Sequence, residues 1–117
     1  MSDALRQAGR LRAAEEDIAV AFVFGSFARD RVRDDSDLDV AVASWQPLTS
    51  QRKLDLIDAL ALAFGRPVDL VDLQAAGPVV FRQALTTGVC VLKRDTKLYA
   101  ELLRRLWYDH ADLLPLP

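Results

Sequence analysis

The sequence predicts an α+β (mixed α/β) domain: a small mixed β-sheet of about four strands with helices packed against it. Three observations carry this expectation. Four short runs rich in β-branched or aromatic residues, at 18–24, 38–43, 68–73 and 89–92, read as buried strands. Stretches with apolar residues at helical spacing lie between the second, third and fourth runs and at both ends of the chain. The connections also differ in kind: ten residues between Ser26 and Asp37 are too few for a parallel crossover, whereas the second and third runs are joined through a helix.

Residues 2–16 read as a first helix with Leu5, Ala8 and Leu11 on a modest apolar stripe, which Gly9 weakens. The first strand, 18–24, ends at Gly25, where a missing Cβ lets the backbone approach a ligand. Ser26 can cap a short helix begun by Phe27, Ala28 and Arg29, and the free N–H groups of such a start attract phosphate. The short link then returns the chain antiparallel, so Ser26 meets Asp37 and Asp39 at the start of the second strand. Two apart on a strand, these aspartates share one face, and Leu38, Val40 and Val42 share the other. Paired carboxylates repel unless a positive charge sits between them, and Mg²⁺ suits one or two carboxylates plus substrate phosphates. The plainer alternative is a turn, since this chain has 14 Asp against 3 Glu and Asp-rich loops are common turns.

A loop at 44–49 leads to a helix over 50–64, with Leu54, Ile57, Ala61 and Phe64 at helical spacing, which Gly65-Arg66-Pro67 stops. The third strand, 68–73, should run parallel to the second, bringing Asp69 within reach of Asp37 and Asp39. Asp72 has the opposite parity and should face away. For Asp69 the plainer role is a strand-end cap or a salt-bridge partner. A helix from Pro78 to about Thr86, a strand over 89–92 and a long helix from Asp95 to about Leu113 follow, the last capped by Asp95 or Thr96. Its Tyr99, Leu102, Leu103, Leu106, Trp107 and Tyr108 can pack on the sheet. The tail over 113–117 is apolar and can meet a partner or dock on its own domain.

At 117 residues the chain fits one domain over 1–117. Its apolar residues, 51% of the total, form no long uncharged run of membrane-spanning length, and the N-terminus has no apolar leader segment. A cytoplasmic location is the expectation. Cys90 is the single cysteine, which excludes an internal disulfide and suits a small buried apolar residue. A net charge of −2 argues against general nucleic-acid binding. The one basic cluster, Arg29, Arg31 and Arg33, is either a solvated loop or a set of cations near a triphosphate.

Gly25-Ser26, ten residues, Asp37-x-Asp39 and then Val68-Asp69-Leu-Val resemble the DNA-polymerase-β-type nucleotidyltransferase superfamily. The short chain, with Phe24-Gly-Ser26, Ala28-Arg29, Asp35-Ser-Asp-Leu-Asp39, the run from Arg66 to Leu73 and Trp107-Tyr-Asp109, is similar to its minimal branch, the MntA-like antitoxins. The resemblance implies a polymerase-β-like fold and a HEPN-type ribonuclease toxin, HepT-like, as partner. It further implies transfer of AMP from ATP to a toxin tyrosine. On the matching positions it assigns the β,γ-phosphates to Gly25 and Ser26, with Arg29 beside the nucleotide, two Mg²⁺ ions to Asp37 and Asp39, and completion of one metal site to Asp69. Where relatives often carry a basic residue after Gly-Ser and a glycine after Ala-Arg, this chain has Phe27 and Asp30.

Two other functions compete. One is an antitoxin that neutralises its toxin by binding alone; the other is a small-molecule nucleotidyltransferase, which needs a further helical domain to close over its acceptor. Arg105 and His110 show the spacing of a HEPN ribonuclease motif, but the alternation of strands and helices does not fit a helical bundle.

Overall fold

The computed structural model describes residues 16–25 and 37–111, with side chains described up to Tyr108. The expected helix over 2–16 therefore lies almost wholly outside the described residues, as does the tail over 113–117. Within them the order is β1 (Ile18–Phe24), β2 (Leu38–Ser44), α1 (Ser50–Phe64), β3 (Val68–Asp72), α2 (Pro78–Thr87), β4 (Val89–Lys93) and α3 (Thr96–Ala111).

The four strands form one sheet in the order β3-β2-β1-β4. β1 is antiparallel to β2, as its short link requires, and antiparallel to β4 on its other side. β2 and β3 are parallel across the α1 crossover, with Leu38 beside Val68 and Val42 beside Asp72. The sheet is mixed, as the sequence predicts. All seven residues of β1 are buried, which fits its place inside the sheet, covered on both faces.

One face of the sheet carries Val40, Val42, Leu38, Ile18 and Val23 beneath Leu56 and Leu60 of α1. The other carries Ala41, Ala43, Phe22 and Phe24 against Phe81 and Ala84 of α2 and Leu102 of α3. The result is three layers with two apolar cores. Tyr99 stacks on Phe22 at 6.1 Å between ring centroids, anchoring α3 over β1.

The helix ends follow local chemistry. The Thr49 hydroxyl accepts from the Arg52 N–H at 3.0 Å at the start of α1, and Gly65, at φ 69°, closes it through an N–H bond to the Ala61 carbonyl. Pro78 opens α2 in the first turn, where its missing N–H costs nothing. At α3, Asp95 takes both tasks of a junction: one carboxylate oxygen accepts from Leu98 N–H and the other from the Trp45 indole. Its carboxyl is held below the usual carboxylate range by the Leu98 N–H first and the Trp45 indole second.

Two apolar stripes differ from expectation. On α1 the core takes Leu56 and Leu60, whereas Leu54 is 56% exposed. Leu54 lies roughly 200° round the helix from Leu56, so both cannot face one sheet. On α3, Leu102 is buried and Tyr99 and Leu106 pack beside it, but Leu103, Trp107 and Tyr108 face outward. The helix is continuous to Ala111, the last described residue, and its expected end at about Leu113 lies outside the described residues. Cys90 is half-buried against the second core, and burial pushes its thiol above the ordinary range, in keeping with a packing role.

Candidate active site

The site is built at the edge where β1 ends and β2 and β3 begin. Antiparallel pairing sets Phe24 opposite Asp39, and parallel pairing sets Asp39 opposite Asp69. Asp37 directly precedes β2 and is exposed. The Leu38 N–H donates to the Pro67 carbonyl at 2.8 Å, so the β2–β3 ladder is already closed at the first residue of each strand. Three segments far apart in sequence thus deliver Gly25, Asp37, Asp39 and Asp69 to one place.

Strand parity then decides where the side chains point. Asp39 shares its face with Ala41 and Ala43, and Asp69 shares it with Val71; these apolar residues belong to the α2/α3 core. Both aspartates lie on that face, at its rim. Asp72 belongs to the other face and to the far end of β3, where its carboxylate accepts from the Gln74 N–H at 3.0 Å and shapes a turn. Asp69 and Asp72 thus lie on opposite faces of β3, as the sequence predicts.

The electrostatics of Asp39 reflect this crowding. Burial raises its carboxyl above the usual range, Asp69 adds to the rise, and Asp37 adds further. All three influences oppose ionisation. Among the described residues, no three acidic, histidine or cysteine groups are gathered into a ready-made metal site. The arrangement is an open acidic rim with Asp39 at its centre.

Gly25 contributes in a way that spacing alone does not reveal. Its φ of 75° lies in the left-handed region, and a Cβ added there would overlap the Asp39 Oδ2 atom and come within 3.2 Å of its Cγ. The glycine therefore packs against the carboxylate that its register neighbour Phe24 brings alongside. The antiparallel return places the end of β1 near Asp39, as the sequence predicts, but the contact with its carboxylate depends on the exact register of the two strands, which the sequence does not report. Ser26 and Arg29, the other expected nucleotide-binding residues, lie outside the described residues, together with Phe27, Asp30, Arg31 and Arg33.

Arg105 has a structural task. Its guanidinium donates to the carbonyls of Leu73 and Ala76 at 2.9 and 2.8 Å and lies 3.9 Å from the centroid of the Phe81 ring. It ties α3 to the end of β3 and to α2. The His110 side chain lies outside the described residues.

Comparison with known proteins places the fold in a family. The family model described as polymerase beta, nucleotidyltransferase, matches residues 10–97. The chain is 32% identical over 85 residues to the protein adenylyltransferase MntA of Shewanella oneidensis, a match covering 71% of this chain and 61% of that protein's length. Its fold is similar to that of a toxin–antitoxin crystal structure with AMP-PNP, at a TM-score of 0.76 and 25% identity over 93% of this chain and 90% of the other. It also resembles a chain of the tri-AMPylated Shewanella oneidensis HEPN toxin in complex with MNT antitoxin, at a TM-score of 0.71. That alignment covers 92% of this chain and 87% of the other at 22% identity, a likeness of fold alone. The family match spans β1 through β4, including Gly25, Asp37, Asp39 and Asp69: the chain belongs to the polymerase-β nucleotidyltransferase family.

Proposed function

We propose that the chain is an MntA-like antitoxin that transfers AMP from ATP to a tyrosine hydroxyl of a partner HEPN ribonuclease toxin. It does so as a single minimal nucleotidyltransferase domain over residues 1–117, in the cytoplasm. The observation that carries this reading is Asp39 in register with Asp69 on one face of the sheet, with Asp37 and Gly25 beside them. The family supplies nucleotidyl transfer as the reaction class. The relatives named as an adenylyltransferase and as a toxin–antitoxin with AMP-PNP support a protein acceptor and an adenine nucleotide.

The donor set fits a hard divalent cation. It is made of carboxylate oxygens alone, and burial, Asp69 and Asp37 all raise the Asp39 carboxyl, a strain that a cation relieves. In this reading Asp37 and Asp39 would hold two Mg²⁺ ions and Asp69 would complete one of the sites. Bound there, magnesium supplies charge neutralisation for the triphosphate and makes a hydroxyl more acidic. Gly25 keeps the strand end open to the β,γ-phosphates, and Ser26 and Arg29 add donors to them. The toxin tyrosine oxygen forms a bond to the α-phosphorus and takes the adenylyl group, the bond from that phosphorus to the β-phosphate bridge breaks so that pyrophosphate leaves, and the phenolic proton passes to solvent. The chain provides no nucleophile, so its contribution is alignment and electrostatics.

The test is the intact mass of a co-expressed partner toxin. With the wild-type chain it gains one or more AMP masses, and with Asp37→Asn plus Asp39→Asn it gains none. An unmodified toxin held in a protective complex by the wild-type chain would refute the transfer reaction and leave neutralisation by binding alone. No helix among the described residues is long and apolar enough to cross a membrane.

A further inference from the structure

We infer that Gly25 is a positioning residue for Asp39, required at the strand end because only a residue without a Cβ leaves the Asp39 carboxylate its place. The basis is steric. A Cβ on Gly25 would overlap Asp39 Oδ2, crowd Cγ at 3.2 Å, and meet Asp39 Cβ at an ordinary 3.6 Å. The conflict across the strands is thus with the carboxylate and not with the strand that bears it; the left-handed φ of 75° at Gly25 adds a local backbone strain that any side chain would bear there. Because the atoms in conflict are the end of a side chain that can turn about χ1 and χ2, the substitution is relieved by swinging the carboxylate away. The protein then keeps its fold and loses the alignment of one acidic group.

The backbone reinforces the assignment. Gly25 follows Phe24, the last register partner of β1 opposite Asp39, so the two residues are held together by the sheet. Gly88, at the end of α2, closes on the same strand end: a Cβ there would come to 3.2 Å from both Phe24 Cβ and the Val23 carbonyl. Packed from that side, the end of β1 has little freedom to move off and make room. Asp39, the partner with the mobile end, is the group that yields.

This role differs from approach to nucleotide phosphates, and it stands whether or not the chain transfers AMP. Two measurements on the full chain test it. The first is the side-chain carboxyl ¹³C resonance of Asp39, identified by its disappearance in Asp39→Asn. In Gly25→Ala that resonance shifts, while those of Asp17 and Asp95, which lie elsewhere in the fold, keep their positions. An Asp39 resonance left in place overturns the inference.

The second is affinity for Mn²⁺ alone, without nucleotide. Displacing a group that orients a metal ligand lowers affinity by roughly tenfold to a hundredfold. Gly25→Ala and Asp39→Ala each cause a loss of that order, and the double variant binds no more weakly than Asp39→Ala, because both changes remove the same carboxylate. Losses that multiply would show that Gly25 acts by another route and would overturn the inference. If Gly25→Ala weakens only metal-free AMP-PNP binding and leaves the Asp39 resonance and Mn²⁺ affinity unchanged, the glycine serves phosphate approach and the inference is wrong. A wild-type chain that binds no Mn²⁺ would count against the proposed function, and the carboxyl resonance alone would then decide the role of Gly25.

Discussion

Asp39→Asn is expected to make the metal-free protein more stable while removing its proposed chemistry. The pair Asp39 and Asp69 face each other across adjacent parallel strands, which lie about 4.8 Å apart. Two full charges at roughly 5 Å repel by about 0.8 kcal/mol in water and about 3 kcal/mol at an effective dielectric of about 20. Asp39 is half-buried but Asp69 is exposed, so screening favours the lower part of that range. Replacing one carboxylate by a near-isosteric amide should therefore gain about 1 kcal/mol at pH 7 in EDTA. In a chain of this size that is a rise in Tm of about 4 °C. The sign with pH follows from the raised carboxyl of Asp39. The cost of ionising it is present above its folded pKa and vanishes below the unfolded value near 3.8, so the advantage of Asn fades on acidification. Added Mg²⁺ should reverse the order, stabilising wild type more than the variant. Urea unfolding with EDTA and with Mg²⁺ measures both. An Asp39→Asn protein that is less stable than wild type in EDTA at pH 7 would refute the picture of an electrostatically strained rim.

Three further outcomes follow from packing and pairing. Arg105→Met should cost about 2–3 kcal/mol, since it removes charge-assisted bonds to two carbonyls and the contact over Phe81, and Arg105→Lys should not restore it because one ammonium cannot span both acceptors; urea midpoints decide this. Phe81→Ala should cost about 3–4 kcal/mol, because the ring is fully buried between the sheet and two helices, and a loss under 1 kcal/mol would mean that α2 is not docked as described. The Arg52 side chain, paired with Asp17 at 2.6 Å, lowers the Asp17 carboxyl, so the stability this pair adds is present above the unfolded value near 3.8 and is lost as pH falls through the lower folded value. The pair is partly exposed and worth about 0.5–1 kcal/mol at most, so Asp17→Asn should lower stability slightly at pH 7 and flatten the acid limb of a pH–stability curve.

The sheet core and most of the acidic rim were legible in the sequence because both follow from chain length and parity. A short link forces β1 and β2 antiparallel, a helical crossover makes β3 parallel to β2, and Asp39 and Asp69 then share an edge and a face. The phase of α1 was not legible, because Leu54, Leu56, Ile57, Leu60, Ala61, Leu62 and Phe64 surround the helix with apolar groups, and only docking selects Leu56 and Leu60. Nor was the place of β4 beside β1, since a strand at the end of a helical connection can join either side of a sheet. The end of β1 was legible as a neighbour of Asp39, but the contact of Gly25 with its carboxylate was not, because it depends on exact register, which no local pattern reports.

The hydrogen bond from Leu38 N–H to the Pro67 carbonyl has a wider meaning for how such a rim can persist. Together with the Leu73 N–H to Val42 carbonyl bond at the far end, it fastens β2 and β3 along their whole paired length by main-chain atoms that every sequence possesses. The main-chain gap between Asp39 and Asp69 is therefore a strand spacing, fixed by the peptide ladder and independent of which side chains fill the two cores. The layers above and below can be rewritten, provided they stay apolar and of similar volume, and the ruler that separates the two backbone positions keeps its length.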